Sequence, residues 1–215
     1  MKRGLYAIVD ESTCRARGIA PCDVARAALD EGASAIQLRA KAQDGAAVLA
    51  LSQQIQSLSR GYGVPFFVND RLDVAALVGA GLHVGQSDLP VASARRLVPS
   101  IAVGVSTHTP DELASALVSA PTYVAYGPVF PTSSKANPDP VVGLDALGRT
   151  VEGAGAIPVV AIGGVSVERA REVFARGATL IAVIAGLFPS SAHERPTISS
   201  VAERARAYHR AARPL

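Results

Sequence analysis

Short apolar runs recur along the chain, and each is followed by a segment of helical character. The runs are Leu5–Val9, Ala35–Leu38, Pro65–Val68, Gly81–Val84, Ile101–Val105, Tyr123–Tyr126, Pro158–Ile162 and Leu180–Ile184. They are continuous rather than alternating, the pattern of parallel strands covered on both faces. The intervening segments are rich in Ala, Leu, Arg and Glu. Asp23–Glu31 stops at Gly32, Ala46–Arg60 follows Asp44 and stops at Gly61, and Val167–Arg176 follows Ser166 and stops at Gly177. Polar residues able to cap a helix start, and glycines at the stops, match the chemistry of helix ends. Eight strand–helix repeats predict an α/β fold, a (β/α)8 TIM barrel with short connections. A doubly wound open sheet is the competing arrangement, but the turn after the first run reads VDESTCRARG and carries no G-x-G-x-x-G.

Length and composition narrow the reading. The chain has 215 residues, 49% hydrophobic and 18% charged, enough to bury a sizeable core in one domain spanning 1–215. Its 21 basic and 18 acidic side chains leave a net charge of +3, spread as scattered arginines. With 5% aromatic residues there is no basic, aromatic-interleaved face to suggest nucleic acid as a partner. Two cysteines, Cys14 and Cys22, supply neither a disulfide framework nor a four-ligand zinc site. The opening MKRGLYAIVD meets Asp10 too soon for a secretion signal, and no stretch approaches the ~18 apolar residues of a membrane span. These features predict a reduced, cytoplasmic protein with no membrane partner, and leave a homo-oligomer open.

A barrel of this class carries its active site at the C-terminal ends of its strands. Following each run therefore locates the candidate chemistry: Gln37-Leu38-Arg39-Ala40-Lys41, Asn69-Asp70-Arg71, Gly85-Gln86-Ser87-Asp88, Ser106-Thr107-His108-Thr109, Gly127-Pro128 with Thr132-Ser133-Ser134-Lys135, Gly163-Gly164, and Ile184-Ala185-Gly186. Alternation places Gln37, Arg39 and Lys41 on one side, and with Lys135 the cations suit a polyanion. Asp70 and Asp88 have two readings, as helix N-caps or as the carboxylates that hold Mg2+ beside a pyrophosphate. Gly163-Gly164 reads either as a tight turn or as a phosphate-binding loop before a helix. His108 lies in a polar strand end and reads as structural or as catalytic; His83 reads as a core residue, and His193 and His209 as surface residues. Residues 131–143, PTSSKANPDPVVG, form a long Pro/Ser-rich loop with the character of a functional lid.

At these positions the sequence resembles the thiamine-phosphate synthase family, whose paralogous branch holds thiazole tautomerases. The blocks that carry the resemblance are LYAIVD, QLRAK, FVNDRLDVA, GLHVGQSDLP, GVSTHT, YGPVFPTSSK, PVVAIGGV and IAVIAG, in order from residue 5 to residue 186. The resemblance implies a transferase that joins 4-amino-2-methyl-5-hydroxymethylpyrimidine diphosphate to 4-methyl-5-(2-phosphoethyl)thiazole or its carboxylate, by dissociative, Mg-assisted loss of pyrophosphate. It implies Gln37 and Ser106 near the pyrimidine, and Arg39, Lys41, Asn69 and Lys135 on the pyrophosphate, with Arg39, Lys41 and Lys135 catalytic. It implies Asp70 and Asp88 as Mg2+ ligands, and Thr132, Ser134, Gly164, Ile184 and the backbone of Ala185 on the thiazole-phosphate side. Two positions depart from the family pattern: Ala40 replaces a frequent acidic residue, and Ala185 replaces a frequent serine. A thiazole tautomerase using His108, and a non-catalytic phosphate-ligand sensor, are the alternatives; retention of Asn69, Asp70, Asp88 and Lys135 favours the synthase.

Overall fold

The computed structural model describes residues 1–132, 139–189 and 194–213. Eight parallel strands pair in sequence order and close on themselves: β1 Gly4–Asp10, β2 Ala35–Arg39, β3 Phe66–Asn69, β4 Gly81–Val84, β5 Val103–Thr107, β6 Tyr123–Tyr126, β7 Val159–Ile162 and β8 Leu180–Val183. Closure is made by β1 against β8, with Gly4 opposite Leu180 and Ala7 opposite Val183. The predicted barrel is therefore observed, and the open sheet is excluded. The helices are α1 Glu11–Arg17, α2 Pro21–Asp30, α3 Gly45–Tyr62, α4 Leu72–Val78, α5 Val91–Leu97, α6 Pro110–Val118, α7 Gly143–Ala154, α8 Val167–Ala175 and α9 Ile198–Ala211. Among the described residues no helix is long and apolar enough to cross a membrane.

The helix ends follow from local chemistry, with two differences from the sequence reading. The Asp44 carboxylate accepts from the Ala47 N–H at 2.9 Å and starts α3. That helix continues through Gly61 and ends at Gly63, whose φ of 64° supplies the left-handed turn. Ser166 occupies the extended position before α8, but its hydroxyl makes no capping bond to the helix backbone.

Continuous apolar runs are explained by two separate cores. Leu5, Ala7, Val9, Ile36, Leu38, Val68 and Val105 face the helices, whereas Tyr6, Ile8, Ala35, Phe67, Tyr123, Ala125, Val160, Leu180 and Ala182 fill the barrel. Large rings fit inside because small residues face them. A Cβ on Gly104 would lie 2.0 Å from the Tyr123 ring, and one on Gly81 would lie 2.4 Å from Phe67. The barrel is thus a packed interior that opens into a cavity at the C-terminal strand end.

Candidate active site

That end is a cavity of about 820 Å³, lined from β1, β2 and β3 round to β8. Its floor is a polar chain among rings. The Gln37 amide donates to the Tyr6 hydroxyl at 3.0 Å, Tyr6 and Tyr123 share a hydrogen bond at 2.8 Å, and Tyr123 meets His83 Nδ1 at 2.7 Å. His83 Nε2 then meets the Ser106 hydroxyl at 2.9 Å. Tyr123 also packs edge-on to Tyr6 and Phe67 and stacks on His83, with centroids 5.6, 5.2 and 5.7 Å away. Burial pushes both phenols above their ordinary range, so each remains a neutral O–H.

One wall is built by the ends of β1 to β4. Asp70 Oδ2 lies 3.0 Å from the Lys41 ammonium, and its carboxyl is within hydrogen-bonding reach of Asp88. Neither aspartate caps a helix. Asp70 has φ 62° and its N–H donates to the His83 carbonyl at 2.9 Å, while Arg71 and Pro90 hold the capping positions of α4 and α5. A left-handed non-glycine residue is held at a cost of order 1 kcal/mol; here it turns the carboxylate towards Asp88. Burial and the facing Asp88 raise Asp70 above the usual carboxylate range, against the pull of Lys41. Burial also acts on Asp88, but the Gly85 N–H, the Asp70 carboxyl, Lys41 and His83 outweigh it and lower that group. Close by, the Asn69 Nδ2 is buried with no hydrogen-bond partner among the described residues. Arg39 is oriented from behind, 2.5 Å from the buried Asp10 carboxylate, which also accepts from Ser12 and Thr13.

The opposite wall is made of backbone. Gly163 and Gly164 have φ 94° and 62°, and they press so closely on Pro128, Phe130 and Pro131 that added Cβ atoms would sit 2.4 Å from Pro128 and the Pro131 carbonyl. With Ser166, Ile184, Ala185 and Gly186 they line the cavity at the start of α8, where a helix N-terminus favours an anion. Helix α9 braces this wall: the Tyr208 hydroxyl donates to the Val165 carbonyl at 2.9 Å, and the Arg204 guanidinium donates to the Gly186 carbonyl. Between the walls, His108 Nδ1 meets the Gly127 carbonyl at 2.6 Å, and its Nε2 lies 3.4 Å from Asp139.

A family model described as thiamine monophosphate synthase matches residues 5–187. The chain belongs to that family. It is 44% identical over 189 residues to the thiamine-phosphate synthase of Methanoregula boonei, covering 87% of this chain and 86% of that protein. It is 42% identical over 192 residues to the thiamine-phosphate synthase of Methanospirillum hungatei, covering 88% and 92%. Among solved structures, thiamine phosphate pyrophosphorylase from Pyrococcus furiosus superimposes with a TM-score of 0.83 at 31% identity, covering 97% and 95% of the two chains.

Within this thiamine monophosphate synthase barrel, Gln37, Arg39, Lys41, Asn69, Asp70, Asp88, Ser106, Thr132, Gly164, Ile184 and Ala185 all line the one cavity. Ser134 and Lys135 lie outside the described residues. Ala40 is turned away from the cavity and packs against the outer core. Arg39 and Lys41 reach the site already paired, to Asp10 and Asp70. Sequence reasoning missed Tyr6, Tyr123 and Asp10, and treated His83 only as core. Period two puts Tyr6, Ile8 and Asp10 on one face of β1, and only the register, with Ile8 opposite Gln37 and Asp10 opposite Arg39, shows that this is the face of Gln37 and Arg39. Among the described residues no cluster of three or more His, Cys, Asp or Glu could hold a metal. A facing carboxylate pair without further protein ligands suits a hard cation that keeps its remaining positions for water and phosphate oxygens.

Proposed function

We propose that this chain is a thiamine-phosphate synthase acting as a single domain over residues 1–215, and that one cavity holds both of its substrates. The observation that carries the reading is the pairing of two anion-suited walls across a hydrogen-bonded floor. On one side stand Lys41, Arg39, the Asn69 Nδ2 with no partner among the described residues, and the Asp70–Asp88 pair; on the other stand the glycine turn and the start of α8. In this reading Gln37 and Ser106 hold the pyrimidine. Arg39, Lys41, Asn69 and Lys135 hold its pyrophosphate. Thr132, Ser134, Gly164, Ile184 and the Ala185 backbone hold the thiazole phosphate. The carboxylate pair fits Mg2+, with Asp70 and Asp88 as ligands; when bound, the ion would neutralise charge on the pyrophosphate.

The reaction breaks the C–O bond between the pyrimidine methylene and pyrophosphate, and the electron pair leaves with pyrophosphate. The thiazole nitrogen then gives its lone pair to the methylene carbon. Little proton transfer is required. Arg39 and Lys41 stabilise charge that grows on the leaving oxygens, an electrostatic task suited to groups fixed in advance by Asp10 and Asp70. The apolar rings below keep water from the electron-poor methylene, a task shared in this reading by the 131–143 loop, whose residues 133–138 lie outside the described residues. The free cysteines Cys14 and Cys22 accord with a cytoplasmic location.

The test is direct. Purified chain, given both substrates and Mg2+, is expected to form thiamine phosphate and pyrophosphate. Isomerisation of the thiazole carboxylate without formation of thiamine phosphate would replace this reading with the tautomerase.

A further inference from the structure

We propose that Arg204, carried by α9, binds the phosphate of the thiazole substrate and supplies the positive charge that the glycine wall lacks. The proposal rests on the thiazole end of the function given above. Gly163, Gly164, Ser166, Ile184, Ala185 and Gly186 line that wall without a charge among them, so a dianionic ester there needs a cation from elsewhere in the fold.

Among the described residues the lysine and arginines that line the cavity are Arg17, Arg39, Lys41 and Arg204. Arg39 and Lys41 are paired to Asp10 and Asp70. Arg17 donates to the Pro189 and Glu194 carbonyls at 2.8 and 3.3 Å, on the connection after β8. Arg204 forms no ion pair among the described residues. The Glu168 carboxylate feels its charge, but Glu168 is exposed and is engaged first by the Ser166 hydroxyl. The positive charge of Arg204 is therefore left without a close counter-charge from the protein.

The guanidinium is held in place by neutral groups. Arg204 and Tyr208 are four residues apart on α9 and share a face, and both line the cavity. Arg204 Nε donates to the Gly186 carbonyl, and the guanidinium is within hydrogen-bonding reach of the Tyr208 hydroxyl. That hydroxyl gives its own proton to the Val165 carbonyl at 2.9 Å. Burial pushes the Tyr208 phenol up to about 12, against the pull of Arg204, so it stays neutral and does not compensate the cation. These contacts engage two of the five N–H groups of a rigid fork. A Cβ on Gly186 would lie 2.4 Å from the Tyr208 hydroxyl, so glycine after β8 is what lets α9 come this close. Val165 stands two residues before α8 begins at Val167, which puts the cation two hydrogen bonds from a helix N-terminus. Two positive poles side by side repel; a phosphate between them is attracted by both.

Calorimetry tests the proposal, with Mg2+ and pyrophosphate present to fill the other wall. Kd is measured for the thiazole phosphate and for the thiazole alcohol that lacks the phosphate. Arg204→Gln keeps an amide N–H for the Gly186 carbonyl and drops the charge. It should weaken the phosphate ester by roughly 10–100-fold and leave the alcohol close to wild type. Arg204→Lys restores the charge without the fork and should recover part of the loss. Arg204→Met serves the same comparison if thermal melts show that Arg204→Gln does not fold. A residue that only braced the wall would lower ester affinity by the same factor at every pH. The ester loses its second charge near about pH 6, so the gap between wild type and Arg204→Gln should be wider at about pH 7.5 than at about pH 5. Glu168, held below the usual carboxylate range, and Tyr208 keep their charge states across that interval. Ester affinity in Arg204→Gln within about threefold of wild type, an equal loss for ester and alcohol, or a gap that does not change with pH overturns the proposal. If it is overturned while wild type forms thiamine phosphate, the synthase reading stands. If the ester shows the expected dependence on Arg204 and no thiamine phosphate forms, the phosphate site stands and the reaction falls.

Discussion

Replacing Asp10 with Asn separates the carboxylate's charge from its shape. Asp10 is 4% exposed. One of its oxygens accepts from the Ser12 hydroxyl at 2.7 Å and from the Thr13 N–H and hydroxyl at 2.9 and 2.7 Å, and the other faces Arg39 at 2.5 Å. Asn caps helices as well as Asp does, so the start of α1 survives the change. The loss falls on Arg39, which is about a quarter exposed and would meet an amide N–H instead of a carboxylate oxygen. A charge-assisted hydrogen bond contributes about 1.5–3 kcal/mol, and partial exposure of the guanidinium places the expected loss at ~2 kcal/mol. Asp10→Ala also removes the cap, for a total of ~3 kcal/mol. Burial raises the Asp10 pKa, but hydrogen bonds from Thr13, Ser12 and Arg39 outweigh it and hold the folded-state value below the ordinary one. The stabilisation is therefore present above the unfolded carboxyl pKa of about 3.9 and is lost as pH falls through the lower, folded value. Urea denaturation of wild type and Asp10→Asn at pH 7, and again at progressively lower pH, should show the gap between them closing in acid. A gap under 0.5 kcal/mol at pH 7 (about a quarter of the expected loss), or one that does not change with pH, would refute the reasoning.

Three further outcomes follow from the site. Asp70→Ala and Asp88→Ala should each abolish most turnover in steady-state assays while leaving the melting temperature nearly unchanged, and excess chelator should do the same to wild type; full activity in chelator would remove Mg2+ from the proposal. Lys135→Ala should lower kcat far more than it lowers thermal stability, and a destabilised variant with normal turnover per folded molecule would contradict its role on pyrophosphate. His108→Asn should cost less than the ~10²–10⁴-fold typical of losing a general acid–base, measured as thiamine phosphate formed; complete loss would return the tautomerase to first place.

The barrel was legible because each strand is buried on both faces, so its run of β-branched and apolar residues stands out from the amphipathic helices between. The same property hid the floor of the site. When both faces are apolar, the pattern does not say which residues point inwards, so Tyr6 and Tyr123 read as ordinary core and His83 as a buried histidine. Strand edges blurred for a related reason: β5 begins at Val103 and runs on to the polar Thr107, because pairing with β6 rather than hydrophobicity sets its length. Asp70 and Asp88 carried two readings in sequence, since carboxylates before helices are so often caps. Only the left-handed backbone of Asp70 and the turn that ties Asp88 to Gly85 decided against capping. Arg39 and Lys41 were found by alternation, but Asp10, the partner of Arg39, belongs to another strand and is brought opposite it only by the register of β1 on β2.

The approach of the β6 loop to β7 bears on how such a barrel diversifies. The Val129 and Phe130 N–H groups donate to the Ile162 and Gly163 carbonyls at 2.9 and 3.0 Å, and the Val142 N–H returns to the Pro128 carbonyl at 2.9 Å. The chain therefore leaves and re-enters the scaffold at one stitched point. Whatever length lies between these stems, neither the strand before nor the helix after has to move. Doubling such a connection costs only about 0.6 kcal/mol in closure entropy. Insertions and exchanges at this point are cheap for the fold, while the stem residues Pro128, Pro131 and Thr132 line the cavity. Evolution can thus rewrite this edge of the cavity without renegotiating the barrel beneath it.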